Sequence, residues 1–341
     1  MKHVSLLIIL LTTILITLSC KEEITKPEEP PAGRRDYVWD VIEIKPGNES
    51  LSLTRIWGLN PDNVWAIGFS SYTATSIWHF NGSQWRCDSV PRHIQPTSIW
   101  GNSENEVWLG NSNSTIWKYN GASWSKFGEY KIDGFDFTGF GGITGNSFNN
   151  IYAVGGTQNN TTLNYKAIIA RYNGLNWQLE NVPTTKVGLE QVEIDTKTGT
   201  LVISGTTFEN KIFTARLYYW DGKELKELLS ETGGWSFVTK LGDEVFAWMN
   251  SKIYKFENKK LILWKDNKSL NITGNIICGR SRNDFFIGSS EGIKQYNGTD
   301  FVTVFPTNWA VRRGIVFEKE AFFIGDEYTT GKNYIIHGKL N

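Results

Sequence analysis

The segment WGLNPDNVWAIG at Trp57–Gly68 returns as WGNSENEVWLGN at Trp100–Asn111 and as TGNSFNNIYAVG at Thr144–Gly155. Each copy is followed by a second signature: HFNGSQW from His79, KYNGASW from Lys118 and RYNGLNW from Arg171. A chain that repeats itself at this spacing does not build one irregular core. Each repeat is a supersecondary unit that buries its apolar face only against its neighbours.

A period of roughly forty residues with aromatic and glycine punctuation is the mark of a β-propeller, one repeat forming one four-stranded blade. Second strands open at Val64, Val107, Ile151, Leu201, Val245, Phe285 and Phe322, which predicts seven blades. Third strands follow as SIWHF, TIWKY, IIARY, RLYYW, KIYKF, GIKQY and YIIHG. After most of them comes Asn81-Gly82, Asn120-Gly121, Asn173-Gly174, Asp221-Gly222 or Asn297-Gly298. Such dipeptides suit a type I′ hairpin with positive φ at both positions.

The seventh repeat stops at Asn341 without a fourth strand, while Tyr37–Ile44 (YVWDVIEI) has no repeat of its own. Its Trp39 resembles Trp85, Trp124 and Trp177 of the fourth strands, so this segment is expected to complete the last blade and leave no open edge. The predicted fold is therefore all-β: a seven-bladed β-propeller of four-stranded antiparallel blades over residues 36–341, its N-terminal strand completing the last blade.

The first residues are a targeting segment. Lys2 and His3 precede an apolar run, Val4 to Leu18, which is shorter than the roughly twenty residues a spanning helix needs and ends at Leu18-Ser19-Cys20. This ending resembles the bacterial lipoprotein box, although Thr17 stands where that box usually has Leu. The resemblance implies a signal peptide over 1–19, lipidation of Cys20 and a Pro-rich tether over 20–35. Lys21-Glu22-Glu23 is similar to the surface-export signal of Bacteroidota lipoproteins. It implies an outer-membrane lipoprotein on the cell surface, with the periplasmic face as the alternative.

Lys plus Arg and Asp plus Glu both number 35, so no net field recruits nucleic acid, and contact with the membrane is expected through the lipid anchor alone. There is no Cys-x-x-Cys, His-Glu-x-x-His or Gly-rich phosphate loop, so no metal or cofactor is implied. Cys87 and Cys278 fall in non-adjacent blades and are not expected to pair. His79 and His337 share a third-strand position that elsewhere holds Lys118, Arg171, Tyr219, Lys255 and Gln295, which reads as a solvated strand face rather than a metal pair.

Fifteen Trp residues invite a sugar-stacking reading, but Trp57, Trp65, Trp78, Trp85 and their counterparts recur in register, as blade packing demands. The better candidates are out of register, in the loops between second and third strands and before first strands, which share one face. The longest such loops run from Gly156 to Lys166 and from Gly205 to Phe213. The candidate ligand-binding residues are Tyr72, Asn159, Tyr165, Phe208, Trp235, Trp309 and Tyr328.

As a whole the chain resembles secreted bacterial propellers with W-G-x-x-x-x-D-V-W-A-V-G repeats, clearly in blades 1 to 3 and more weakly in blades 4 to 7. The resemblance implies fold and export and carries no catalytic residue. The functional expectation is a non-catalytic binding or interaction module for a glycan or an envelope protein, as a monomer or as part of an envelope complex. The alternative is a sialidase-like glycoside hydrolase. The NGxxW turns resemble the sialidase Asp-box without its Ser and Asp, and Asp133, Asp136 and Glu190 are the carboxylates available for such chemistry.

Overall fold

The computed structural model describes residues 31–71, 73–162, 164–268 and 272–341. The expected signal peptide, Cys20, most of the expected tether and Tyr72 lie outside the described residues. Among the described residues there are 28 strands and one short 3₁₀ turn. No helix there is long and apolar enough to cross a membrane.

The strands form antiparallel meanders in chain order, at the positions the repeats predict. Residues 51–87, 96–129, 137–179 and 188–232 each give a four-stranded sheet. The next two meanders, 236–266 and 272–306, are joined into one eight-stranded sheet by a parallel bridge between their first strands, Leu241 opposite Gly279. The last sheet combines the C-terminal strands from Ala310 onward with Tyr37–Ile44, which pairs with Lys332–Leu340. Trp39 lies opposite Gly338, and Gly338 opposite Ala321. Trp85 stands in the same relation to Phe80 and Val64, so Trp39 holds the register its sequence context suggested.

The WG repeat has a packing reason. A Cβ on Gly101 would come within 2.5 Å of the Trp57 ring, and one on Gly145 within 2.5 Å of the Trp100 ring. Trp57 and Trp100 thus each press the six-membered ring of the indole against the backbone of the next meander, where only glycine leaves room. The second-strand indoles continue the packing: Trp65 meets Trp124 edge-on at 5.4 Å, and Trp108 meets Trp177 at 5.6 Å. The in-register tryptophans are core, with Trp65, Trp78, Trp108, Trp124 and Trp177 all buried.

Two local expectations are corrected. In the Asn-Gly hairpins only the glycine takes positive φ, 86° at Gly82 and 92° at Gly121. The Asn instead turns its side chain inward, and Asn120 Oδ1 accepts the N–H groups of Ala122 and Ser123. The shared third-strand position is not uniformly a solvated face either. Arg171 is exposed and His79, Lys118 and Lys255 are partly buried, but Tyr219, Gln295 and His337 are buried.

Candidate functional site at the mouth of the central channel

The first strand of every meander lines one axial channel, a cavity of about 180 Å³ that takes in Arg55, Ser98, Gly141, Gln191, Val238, Ile277 and Arg313. Five of these strands carry an extra residue near their start, between Leu53 and Arg55, Pro96 and Ser98, Gly139 and Gly142, Leu189 and Gln191, and Val311 and Arg313. A bulge of this kind re-aims the side chains beside it. Arg55, Ser98, Gln191 and Arg313 follow such bulges and all line the channel.

The channel is charged where a core would be apolar. Arg55 donates to the carbonyls of Thr54 (3.1 Å) and Gly141 (3.4 Å). With the Gln191 amide oriented by its neighbours, its oxygen accepts from Arg313 at 2.7 Å and its nitrogen donates to the Val238 carbonyl at 3.3 Å. Burial lowers the pKa of Arg55 while Glu190 opposes the shift. Burial lowers that of Arg313 well below the ordinary range, nearby Arg55 lowers it further and Glu190 again opposes. Deeper along the same strand as Glu190, burial pushes Glu193 up to about 7, with Lys240 opposing.

Beside the channel mouth lies a larger, mostly apolar groove of about 750 Å³. It shares Gly141 with the channel and runs over the first strands of the third and fourth meanders. Its floor includes Gly139, Gly141, Gly156 and Gly188; a Cβ on Gly139 or Gly188 would meet nothing closer than 3.7 Å, whereas one on Gly141 would fall 2.9 Å from the Leu189 carbonyl. Its walls are Phe137, Tyr165, Leu189, Phe208 and Phe213, with Glu190 at the channel side. Phe208 and Phe213 pack ring to ring at 4.4 Å yet remain 51% and 53% exposed. The Tyr165 hydroxyl accepts the Phe208 N–H at 3.3 Å and ties the two loops together.

Of the candidates read from the sequence, Tyr165 and Phe208 meet in this groove. Asn159 does not line it; its Oδ1 accepts the N–H groups of Thr161 and Thr162 and its Nδ2 donates to the Gly134 carbonyl, so it builds the loop. Trp235 is 57% exposed and outside the groove. Trp309 stacks on Tyr334 at 4.1 Å, nearly parallel. Tyr328 is exposed, with the Arg312 guanidinium 5.3 Å above its ring. Phe137, Phe213, Arg55 and Gln191 lie outside the ligand-binding candidates that the sequence offers, while Arg313 with Arg312 is a sequence candidate for an anionic substrate; the bulges that aim Arg55, Gln191 and Arg313 leave no mark in hydrophobic periodicity.

Asp136 accepts the Asn160 N–H at 2.5 Å and so holds the loop. Among the described residues no group of three or more His, Cys, Asp or Glu side chains is placed to hold a metal ion. His79 instead meets Asn63 at 3.1 Å, and His337 meets Glu320 at 2.6 Å. Cys87 and Cys278 are free thiols.

No protein-family model matches the chain, and no curated protein matches it. Solved structures do. YCF48 bound to a D1 peptide superposes with a TM-score of 0.61 over 91% of this chain and 98% of that one, at 14% identity. The fold is a β-propeller. The WD40 propeller domain of Doa1 gives a TM-score of 0.59 over 89% of this chain and 98% of its own, at 8% identity. The propeller domain of Cps50 (Swd1) from Myceliophteria thermophila gives 0.55 over 84% and 99%, at 9% identity. At such identities the likeness is one of fold, and in propeller terms the meanders are blades with their first strands around the axis.

Proposed function

We propose that this protein is a seven-bladed propeller that captures a segment of a partner protein in the groove at the channel mouth, without catalysis. The observation that carries this reading is the groove itself: exposed aromatic walls on a glycine floor, set on rigid strands, with few polar groups. An extended peptide can lay its backbone over glycines and its apolar side chains against Phe208 and Phe213. The fold neighbours include a propeller bound to a peptide, which supports a protein ligand over a glycan.

On this reading the chain is held on the outer membrane by lipid at Cys20, and Lys21-Glu22-Glu23 directs it to the cell surface. The test is a pair of variants in the full chain, Phe208→Asp and Phe213→Asp. Both residues are exposed, so melting should change little, while recovery of the native partner after crosslinking in the source cells should fall at least tenfold. Undiminished recovery would refute the groove as the docking site.

A further inference from the structure

We propose that the partner segment in the groove docks by strand addition, pairing its backbone with the open edge of the fourth blade at Phe208. This rests on the groove reading above and specifies how the ligand is recognised. The second strand of this blade, Leu201–Glu209, outruns the first, Gly188–Ile194, whose pairing ends where Gly188 lies opposite Thr206. Thr207, Phe208 and Glu209 continue past that point, paired with Thr214, Phe213 and Ile212 on one side and with no strand on the other. The hairpin closes through Asn210 and Lys211, both with positive φ (52° and 66°), the two-residue turn that holds this register.

Hydrogen bonding fixes which residue faces outward. The Phe213 carbonyl accepts the Gly233 N–H at 2.9 Å, at the end of the fourth strand. In an antiparallel strand the N–H and C=O of one residue point the same way. Phe213 and Phe208 are therefore a non-hydrogen-bonded pair, and Phe208 turns its own N–H and C=O to the open edge. The Phe208 N–H meets the Tyr165 hydroxyl at 3.3 Å, a side chain of the third blade that stands where the carbonyl of an added strand would be. An open edge of this kind is a template for another strand.

The side chains of the occupant follow from strand alternation. A residue opposite Phe208 presents its side chain on the face that carries Phe208 and Phe213, and its two chain neighbours point to the other face. Among the described residues lining the groove Glu190 alone is charged, so apolar side chains fit there. The ligand class is thus an extended segment with apolar residues at alternate positions, recognised through its backbone as much as its side chains.

The probe is a phage-displayed library of random linear dodecapeptides selected on the full chain, the tightest sequence then being synthesised. Its binding to the wild type and to Phe213→Asp is measured by fluorescence anisotropy, alongside a series with each backbone amide of the peptide N-methylated in turn. The expected peptide alternates apolar residues and binds Phe213→Asp at least tenfold more weakly. It should lose about tenfold on N-methylation of the one amide that donates to the Phe208 carbonyl. The carbonyl carbon resonance of Phe208 should shift with the parent peptide and not with that methylated form. Should Phe213→Asp fail to fold, the methylated series and the resonance still decide. An empty selection, or a peptide that binds folded Phe213→Asp as it binds the wild type, would overturn the groove reading and this inference with it. A peptide that needs Phe213 but tolerates N-methylation at every position would overturn strand addition alone.

Discussion

Lys118 Nζ lies 2.7 Å from the Glu106 carboxylate and 4.7 Å over the ring of Trp108, joining the second and third strands of one blade. The same two positions are joined in other blades by different chemistry: His79 with Asn63, Arg171 with Asn150, Lys255 with Glu244, Gln295 with Asp284 and His337 with Glu320. The residue just before the repeated aromatic strand is therefore an acceptor for the third strand, and in four blades the partner also covers the aromatic: His79 on Trp65, Lys118 on Trp108, Arg171 on Tyr152 and His337 on Phe322. Glu106→Ala should destabilise the protein by about 1 kcal/mol, since the pair is only partly buried. Urea unfolding of Glu106→Ala, Lys118→Ala and the double variant would measure the coupling; strictly additive losses would contradict it.

Packing of Trp on Gly around the ring predicts a steric effect. Gly101→Ala and Gly145→Ala each place a methyl 2.5 Å from an indole of the preceding blade. Each should cost about 1–3 kcal/mol. Gly134→Ala, where nothing lies within 4 Å, should show only the backbone cost of a positive φ of 81°. Thermal melts of the three variants check the order.

Closure by the N-terminal strand predicts unequal deletions. Removing residues 37–44 strips Lys332–Leu340 of one of its two partner strands and takes away Trp39, which packs on Phe305 and Phe323. The melting temperature should fall by many degrees, and Trp39→Ala alone should cost about 3 kcal/mol. Removing residues 21–30 should leave the melt unchanged. Arg35, which pairs with Asp300 at 2.8 Å, marks where the chain is already attached.

Stability should depend on pH in two opposed ways. Burial lowers the pKa of His337 and of His79 from the ordinary 6.5, so their contribution is complete above about 6.5 and is lost as the pH falls below it. Glu193 is raised from 4.5 to about 7, so the folded state keeps its proton longer than the unfolded one, and stability is lost as the pH rises from 4.5 through 7. Glu193→Gln should therefore stabilise the protein at pH 8 by about 1–3 kcal/mol and do nothing at pH 4. Denaturant curves at the two pH values test the sign.

The blades were legible in the sequence because each must repeat the same contacts. Trp57 and Trp100 recur with their glycines, and Gly82, Gly121 and Gly174 with their capping asparagines, since a local geometry that works once works again. Trp39 could be placed from its likeness to Trp85. The site was legible only in part. Loop length pointed to Tyr165 and Phe208, but the groove also depends on glycines that merely leave space. Arg55 and Arg313 sit beside first-strand bulges fixed by pairing with the next strand, and pairing register is a property of two segments at once. For the same reason the burial of His337 and Gln295 did not show in their own strands.

The central claim is that the groove, and not another part of the ring, meets the partner. A photoreactive amino acid placed at Phe213, and in a second variant at Leu175, would test it on intact cells of the source organism. Both positions are exposed, but Leu175 is 77% exposed in a hairpin at the opposite end of the blade. A discrete crosslinked protein is expected from position 213 and none from 175. Equal crosslinking from both, or crosslinking from 175 alone, would contradict it.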